Sequence, residues 1–502
     1  MKAFLPILKK HLVCLALFGA VPAVANEEKP NIVFIFADDM GIGDVHAYNP
    51  ERGLIETPAM DQMAAEGMLF TDAHTSSSVC TPSRYSLMTG RYSWRSRLQR
   101  SVIFGFGKPL IPTSRLTVAG LLKEQGYETA MVGKWHIGMD FPPGKGMKNI
   151  DWKGEIKGGP ADLGFDSFFG ISASLDMPPY IYIEDDRFVG ECTTTKTFHK
   201  QRHGPAHADL EAVDVLDDLL ERSQDYIQER QPEKPFFLYI ALPSPHTPIV
   251  PSEKWRGRSE LGPYGDFMMQ TDDFVGQVMK SLDENGLSEN TLLIVSSDNG
   301  CSAGPSNAEK LIEQGHYPSA QYRGYKSDLW EGGHRVPFIV KWPAKIKAGT
   351  RSDETICLTD FMATCADLTG ATLPPNAGED SVSFLPAFTG KTIETSRKGI
   401  IHHSIRGEFS YRKGKWKLLL ADDSGGWSRT GKKITTEGQL YNLEKDPGET
   451  ENLYAAKPKI VEELLADLKE DVRRGRSTAG PEQANDVENI NLWKGRKGGK
   501  NK

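Results

Sequence analysis

The sequence predicts an α/β protein: a large, mainly parallel sheet sandwiched by helices, followed by a small C-terminal antiparallel α+β subdomain. Three observations carry that expectation. Five short apolar runs read as buried strands: Ile32–Ala37, Thr129–Val132, Phe236–Leu242, Leu292–Val295 and Phe338–Val340. Helical patterns lie between them, and strands alternating with helices imply a parallel sheet covered on both faces. Beyond about Arg397 the pattern changes to hairpin-like alternation.

The chain opens with Lys2, Lys9 and Lys10 before an apolar run from Leu12 to Val24 that ends in Ala23-Val24-Ala25. A charged start, a short apolar core and a small-x-small end make a secretory signal peptide. The run is too short for a comfortable membrane span. Cleavage is expected after Ala25, with export to the periplasm or beyond and no stable membrane insertion. After the first strand, Thr57-Pro58 opens a helix that Gly67 closes. Pro82 fits the first turn of a second helix, which runs to about Thr89 and stops at Gly90. Leu210, Val213, Leu216, Leu220 and Ile227 keep helical spacing, as do Phe267, Phe274, Val278 and Leu282. The stretch from Phe141 to Pro205 is rich in Gly, Pro and Lys and has little periodicity, as segments that wall a binding site often do. In the C-terminal part, Tyr411–Leu418 reads as a hairpin, Gln439–Leu443 as a strand and Ile460–Val472 as an amphipathic helix. The expected division is residues 1–25 signal peptide, 26–396 catalytic domain, 397–480 α+β subdomain and 481–502 basic flexible tail.

Composition excludes several classes. Of the 502 residues, 38% are hydrophobic and 25% charged, which suits a sizeable core and not a disordered chain. A net charge of -7 argues against wholesale nucleic-acid binding. Cys14 leaves with the signal, so five cysteines remain: Cys80, Cys192, Cys301, Cys357 and Cys365. An odd number in an oxidising compartment marks one for another task. The sequence leaves open whether Cys192, Cys301, Cys357 and Cys365 form disulfides.

In open parallel sheets ligands bind beyond the carboxyl ends of the strands. Ile32–Ala37 is followed by Asp38-Asp39, and Leu292–Val295 leads to Asp298-Asn299. Thr129–Val132 precedes Lys134 and His136, and Phe236–Leu242 precedes His246. Each alone is ordinary, since Asp after a strand commonly caps a helix or a turn. Together they converge on one sheet edge. Asp38, Asp39, Asp298 and the Asn299 amide oxygen are hard ligands suited to calcium or magnesium, not zinc. Cys80-Thr81-Pro82-Ser83-Arg84 places residue 80 at a helix N-terminus, where an anion is favoured, with Arg84 one turn on.

Cys80-Thr81-Pro82-Ser83-Arg84-Tyr85-Ser86-Leu87-Met88-Thr89-Gly90-Arg91 resembles the C-x-P-S-R-x-x-L-x-T-G-R signature of type I, formylglycine-dependent sulfatases. Gly126–His136 resembles their second signature. Asp38-Asp39, Pro245-His246-Thr247-Pro248, Asp298-Asn299-Gly300, Lys326 ahead of Glu331-Gly332-Gly333, and Leu440-Tyr441-Asn442-Leu443 follow in the family's order. The resemblance implies an arylsulfatase-like hydrolase with the alkaline-phosphatase-like fold. It implies that a maturing enzyme oxidises Cys80 to formylglycine (3-oxoalanine), whose hydrate attacks sulfur. It also implies one Ca2+, with Mg2+ second, held by Asp38, Asp39, residue 80, Asp298 and Asn299. Arg84, Lys134 and Lys326 would neutralise the sulfate, His246 would protonate the departing alcohol, and His136 would assist expulsion of the sulfate.

The expected substrate is a sulfated carbohydrate, attacked from a chain end, of glycosaminoglycan or algal origin. Asp176 and His334 are candidate sugar contacts. Two other readings are a phosphate mono- or diester hydrolase of the same superfamily and a non-catalytic sulfated-glycan-binding protein.

Overall fold

The computed structural model describes Met1 and residues 29–494, apart from 201, 232 and 430–433. The signal-peptide expectation falls outside the described residues. No described helix is long and apolar enough to cross a membrane.

Ten strands form the main sheet. They are β1 (Asn31–Ala37), β2 (Met68–Phe70), β3 (Glu128–Lys134), β4 (Ser167–Ile171), β5 (Ile183–Glu184), β6 (Arg187–Phe188), β7 (Phe236–Ala241), β8 (Thr291–Ser297), β9 (Phe338–Lys341) and β10 (Thr350–Ser352), in the order β10-β2-β9-β8-β1-β7-β3-β4-β5-β6. The central five, β8-β1-β7-β3-β4, are parallel. β9 runs antiparallel to β8, which is why the run at Phe338 delivers no polar group to the common edge. β4 lies inside the stretch expected to be irregular. Its five residues pair in parallel with β3 and are too few to show a period among glycines and prolines.

β1 explains the sandwich. Ile32, Phe34 and Phe36 face one layer, and Val33, Ile35 and Ala37 the other, all 0–1% exposed. The first layer packs residues of helices α2 (Cys80–Thr89) and α3 (Val118–Glu124); the second packs residues of α1 (Pro58–Glu66), α4 (Val215–Gln228) and α5 (Pro263–Glu284). A strand buried on both faces reads as a continuous apolar run.

The C-terminal sheet has four antiparallel strands, β11 (Ile400–His403), β12 (Phe409–Lys413), β13 (Trp416–Leu419) and β14 (Gln439–Asn442), covered by α6 (Pro458–Arg473). The hairpin, strand and helix expected there are present. The subdomain is bolted to the main sheet by buried charge. Lys417 Nζ, with a fully buried side chain, lies 2.9 Å from both Glu331 Oε1 and Glu449 Oε1. The segment from 481, expected as a flexible tail, is tied down as far as Lys494. Arg91 Nη2 meets Asp486 Oδ1 at 3.0 Å, and Lys494 Nζ donates to the Gln99 carbonyl at 2.6 Å. Ile490, Leu492 and Trp493 pack on the subdomain core. Composition alone hid this, because the apolar anchors are spaced among polar residues.

Candidate active site

Strand register brings the polar groups together. Ala37 pairs with Ser297, Phe36 with Ala241, and Ala241 with Gly133, so four parallel strands end at one level. Asp38, Asp298 and Lys134 come at or just beyond these ends, and His246 follows five residues after Ala241. Asp39 and His136 take left-handed backbone conformations, φ 66° and 58°, which turn the chain sharply as it leaves the sheet. Gly300 is required by close packing: a Cβ there would sit 1.9 Å from the Gly332 carbonyl oxygen.

α2 begins at Cys80 and ends at Gly90, which adopts φ 63°. Its entry is clamped from both the C-terminal subdomain and the main domain. The Ser78 amide donates to the His403 carbonyl at 3.1 Å, and the Ser327 amide to the Ser78 carbonyl at 2.7 Å. Cys80 is thus fixed at the floor of a cavity of about 960 Å³, also lined by His136, His246 and Lys326. Walls come from Asp176, Met177 and Arg202 on one side and from the Ser302–Glu309 stretch on another. The first of these lies in the Phe141–Pro205 stretch expected to wall the site.

Ligand atoms of Asp38, Asp39, Cys80 and His246 lie within 4.8 Å of one another. Arg84 crosses from α2 to grip Asp298, with Nε at 3.0 Å and Nη2 at 2.8 Å from Oδ2. Lys134 Nζ pairs with Asp38 Oδ2, Lys326 Nζ lies 2.6 Å from Asp39 Oδ1, and Asn299 Nδ2 donates to Asp39 Oδ1 at 2.7 Å. Asp38 Oδ1 and Asn299 Oδ1 are buried and accept no hydrogen bond. Unpaired buried oxygens of this kind are costly without a cation, and both are hard donors. The set therefore fits a calcium- or magnesium-type ion.

Electrostatics follow from burial. Burial pushes the Asp38 carboxyl up, but Lys134, His246 and Arg84 together hold it well below the usual carboxylate range. Asp298 is pushed up to about 7 by burial and by Asp38, with Arg84 opposing. The Cys80 thiol is driven up to about 12, chiefly by burial, so the unmodified side chain is a neutral thiol and a poor nucleophile. His136 is held neutral by burial and by Lys134. Its Nε2 therefore donates to the Ile103 carbonyl at 2.8 Å, leaving Nδ1 a buried acceptor without a partner. In His246, Nδ1 donates to the Thr247 carbonyl at 2.7 Å, and Nε2 sits 3.7 Å from Asp39 Oδ2.

The sulfatase family model matches residues 30–371, and a model described as N-sulphoglucosamine sulphohydrolase, C-terminal, matches residues 325–478. The chain belongs to the sulfatase family. This sulfatase is 34% identical to an N-acetylgalactosamine-6-O-sulfatase of Bacteroides thetaiotaomicron, over 89% of the chain and 94% of that protein. It is 32% identical to human arylsulfatase A, over 90% and 89%. A solved 6S-sulfatase structure from work on glycosaminoglycan metabolism by Bacteroides thetaiotaomicron superposes with a TM-score of 0.78 at 32% identity, covering 88% of the chain and 99% of that structure. The protein is a sulfuric ester hydrolase with the mainly parallel fold of its family.

Of the residues predicted from sequence, Cys80, Arg84, Lys134, His136, His246, Lys326, Asp38, Asp39, Asp298 and Asn299 gather here, and Asp176 lines the wall. His334 does not. It is fully buried, stacked 3.7 Å on the His402 ring, with Nε2 3.0 Å from Lys417 Nζ and Nδ1 3.1 Å from His74 Nδ1. It belongs to the joint between the sheets and does not line the cavity. Asp298 is more committed to Arg84 than a plain ligand would be. The remaining cysteines, Cys192, Cys301, Cys357 and Cys365, are buried and unpaired among the described residues. Sequence reasoning missed Phe104, Arg202 and Trp427, which line the cavity from loops. An aromatic among glycines, as in Gly425-Gly426-Trp427, was the available signal.

Proposed function

We propose that this sulfatase removes sulfate from the terminal residue of a sulfated carbohydrate, with 6-sulfated N-acetylgalactosamine of glycosaminoglycan fragments as the favoured unit. The sugar assignment is supported by the relative named for N-acetylgalactosamine 6-O-sulfate and by the likeness to the 6S-sulfatase structure. The observation that carries the reaction is the position of residue 80: a buried helix N-terminus at the floor of a polar cavity, beside three carboxylates and three cationic side chains.

Asp38, Asp39, Asp298 and Asn299 would hold the Ca2+, with residue 80 facing it. When bound, the ion supplies Lewis-acid charge for a sulfate oxygen and lowers the pKa of the nucleophile. Converted to formylglycine by a maturing enzyme and then hydrated, residue 80 would supply one hydroxyl to attack sulfur as the sugar alcohol departs, and a second whose lost proton lets the C–O bond to sulfate break and the aldehyde re-form. Arg84, Lys134 and Lys326 carry the positive charge that offsets the carboxylates and the sulfate, in a site where exclusion of water strengthens each interaction. His246 lines the cavity, and its Nε2, left over from the contact of Nδ1 with the Thr247 carbonyl, would protonate the leaving oxygen. His136 Nδ1 is the acceptor that takes a proton from residue 80. A cavity of about 960 Å³ closed at its base admits a chain end more readily than a chain middle.

The test is sulfate release, with phosphate release from matched esters as the control, on a panel of defined sulfated mono- and disaccharides. Peptide mass spectrometry of residue 80 accompanies it. Turnover with an unmodified thiol would overturn the mechanism. Preference for phosphate esters would favour the phosphate-hydrolase alternative.

A further inference from the structure

Among the described residues only two aromatic side chains are exposed, Phe104 at 57% and Trp427 at 60%. Both line the catalytic cavity. Elsewhere the aromatic residues are buried or half-buried, so the concentration at one mouth calls for a ligand with an apolar face.

Neither loop is loosely held. Trp427 rides on a turn packed against the residues that follow Lys326. Its amide donates to Ser327 Oγ at 2.9 Å, the Ser428 amide donates to Asp328 Oδ1 at 3.1 Å, and the Leu329 amide donates to the Ser424 carbonyl at 2.7 Å. A Cβ on Gly426 would lie 2.4 Å from the Ser327 carbonyl oxygen, so only glycine lets the turn sit this close. The indole is therefore presented outward from an anchored backbone. Phe104 comes from a different loop, the one whose Ile103 carbonyl accepts from His136. Arg202 stands beside it, its Cζ 5.8 Å from the Phe104 ring. Asp176 Oδ2 fixes Arg202 Nη1 at 2.6 Å, while the Arg202 side chain stays 43% exposed. A guanidinium has five N–H donors, and this contact uses one. Lys200 and Arg429 add positive charge to the same lining.

We propose that Phe104 and Trp427 are the stacking faces of an outer subsite for the sugar next to the sulfated terminal unit, and that Arg202 binds an anionic substituent of that neighbour. A pyranose has an apolar C–H face that pairs with an aromatic ring, and a uronate carboxylate or a second sulfate pairs with the guanidinium fork. The substrate class is thus an acidic oligosaccharide of at least two residues rather than a free sulfated monosaccharide. This inference rests on the carbohydrate reading of the preceding subsection.

The experiment compares kcat/KM on 6-sulfated N-acetylgalactosamine with kcat/KM on an oligosaccharide ending in that unit and continuing through a uronate, for the wild-type enzyme, Phe104→Ala, Trp427→Ala, Trp427→Phe and Arg202→Gln. The wild type should prefer the oligosaccharide at least tenfold. Each alanine variant should cut that preference roughly tenfold, mainly through KM, and Trp427→Phe should keep most of it. Carboxyl-reduced oligosaccharide should lose the Arg202 effect if the anion is the uronate and keep it if the anion is a second sulfate. A preference unchanged in both alanine variants overturns the proposal. Titration of the protein with desulfated oligosaccharide, followed by tryptophan fluorescence, separates the two readings. Trp427-dependent binding without sulfate release from any sugar would sink the substrate reading and leave the subsite standing.

Discussion

Replacing His246 by Ala should separate substrates by leaving group. The ring is only 7% exposed, and its Nδ1–H is committed to the Thr247 carbonyl at 2.7 Å, so Nε2 alone can serve the reaction. A positioned general acid contributes about 10²–10⁴-fold, and each tenfold is about 1.4 kcal/mol of barrier. A sugar alkoxide is a poor leaving group that depends strongly on its proton, so the upper half of that range applies. We expect a loss of about 10³–10⁴-fold, or roughly 4–5.5 kcal/mol, on a sugar 6-sulfate, whose departing alkoxide must be protonated. On 4-nitrophenyl sulfate, whose anion leaves unaided, the loss should be less than about tenfold. pH supplies a second readout. Burial, then Lys326, lowers the His246 pKa below its ordinary value, so the acid form grows as pH falls and turnover of sugar sulfate should decline through an alkaline limb. His246→Ala should erase that limb on sugar substrates. Steady-state sulfate release on both substrates from pH 5 to 9 is the assay. Equal losses on the two substrates, with the limb retained, would refute the assignment and make His246 a sulfate-binding group.

Three further outcomes are expected. Lys417→Met strands the buried Glu449 carboxylate and takes one of its partners from Glu331, which keeps Arg335 at 2.9 Å, so stability measured by denaturant titration should fall by about 3–5 kcal/mol, with at least half recovered in Lys417→Met/Glu449→Gln. Asp298→Ala removes the carboxylate that Arg84 grips at 2.8 Å and should abolish sulfate release while also lowering the unfolding midpoint, whereas Asp298→Asn should lose activity with a midpoint close to wild type. Exhaustive chelation should remove most activity, with recovery on adding calcium and elemental analysis showing one hard cation per chain; an unchanged rate, or stoichiometric zinc, would contradict the oxygen-rich donor set.

Much of the reaction centre was legible because its determinants are local. A buried strand is an apolar run, and the first polar residues after it stand at the sheet edge; parallel pairing then aligns those edges whatever the intervening lengths. Asp38, Lys134 and Asp298 could be placed on this ground, and Pro82 with Gly90 bounded the helix that carries Cys80. Tertiary structure decided what depends on distant partners. Asp298 is held by Arg84 across 214 residues of sequence, which no spacing rule reveals. His334 lies close to Lys326 and the Glu-Gly-Gly run in sequence, yet the short helical turn ahead of β9 and the docking of β13 send it into the joint between the sheets. Trp427 comes from the other subdomain and reaches the cavity only because a glycine turn fits against Ser327. Sequence determined the strands, the helix that starts at Cys80 and the charge at the sheet edge, since these follow from short-range patterning. The cavity's walls, its aromatic mouth and the pairing of its buried ions arise from contacts between segments hundreds of residues apart, and only the folded chain sets them.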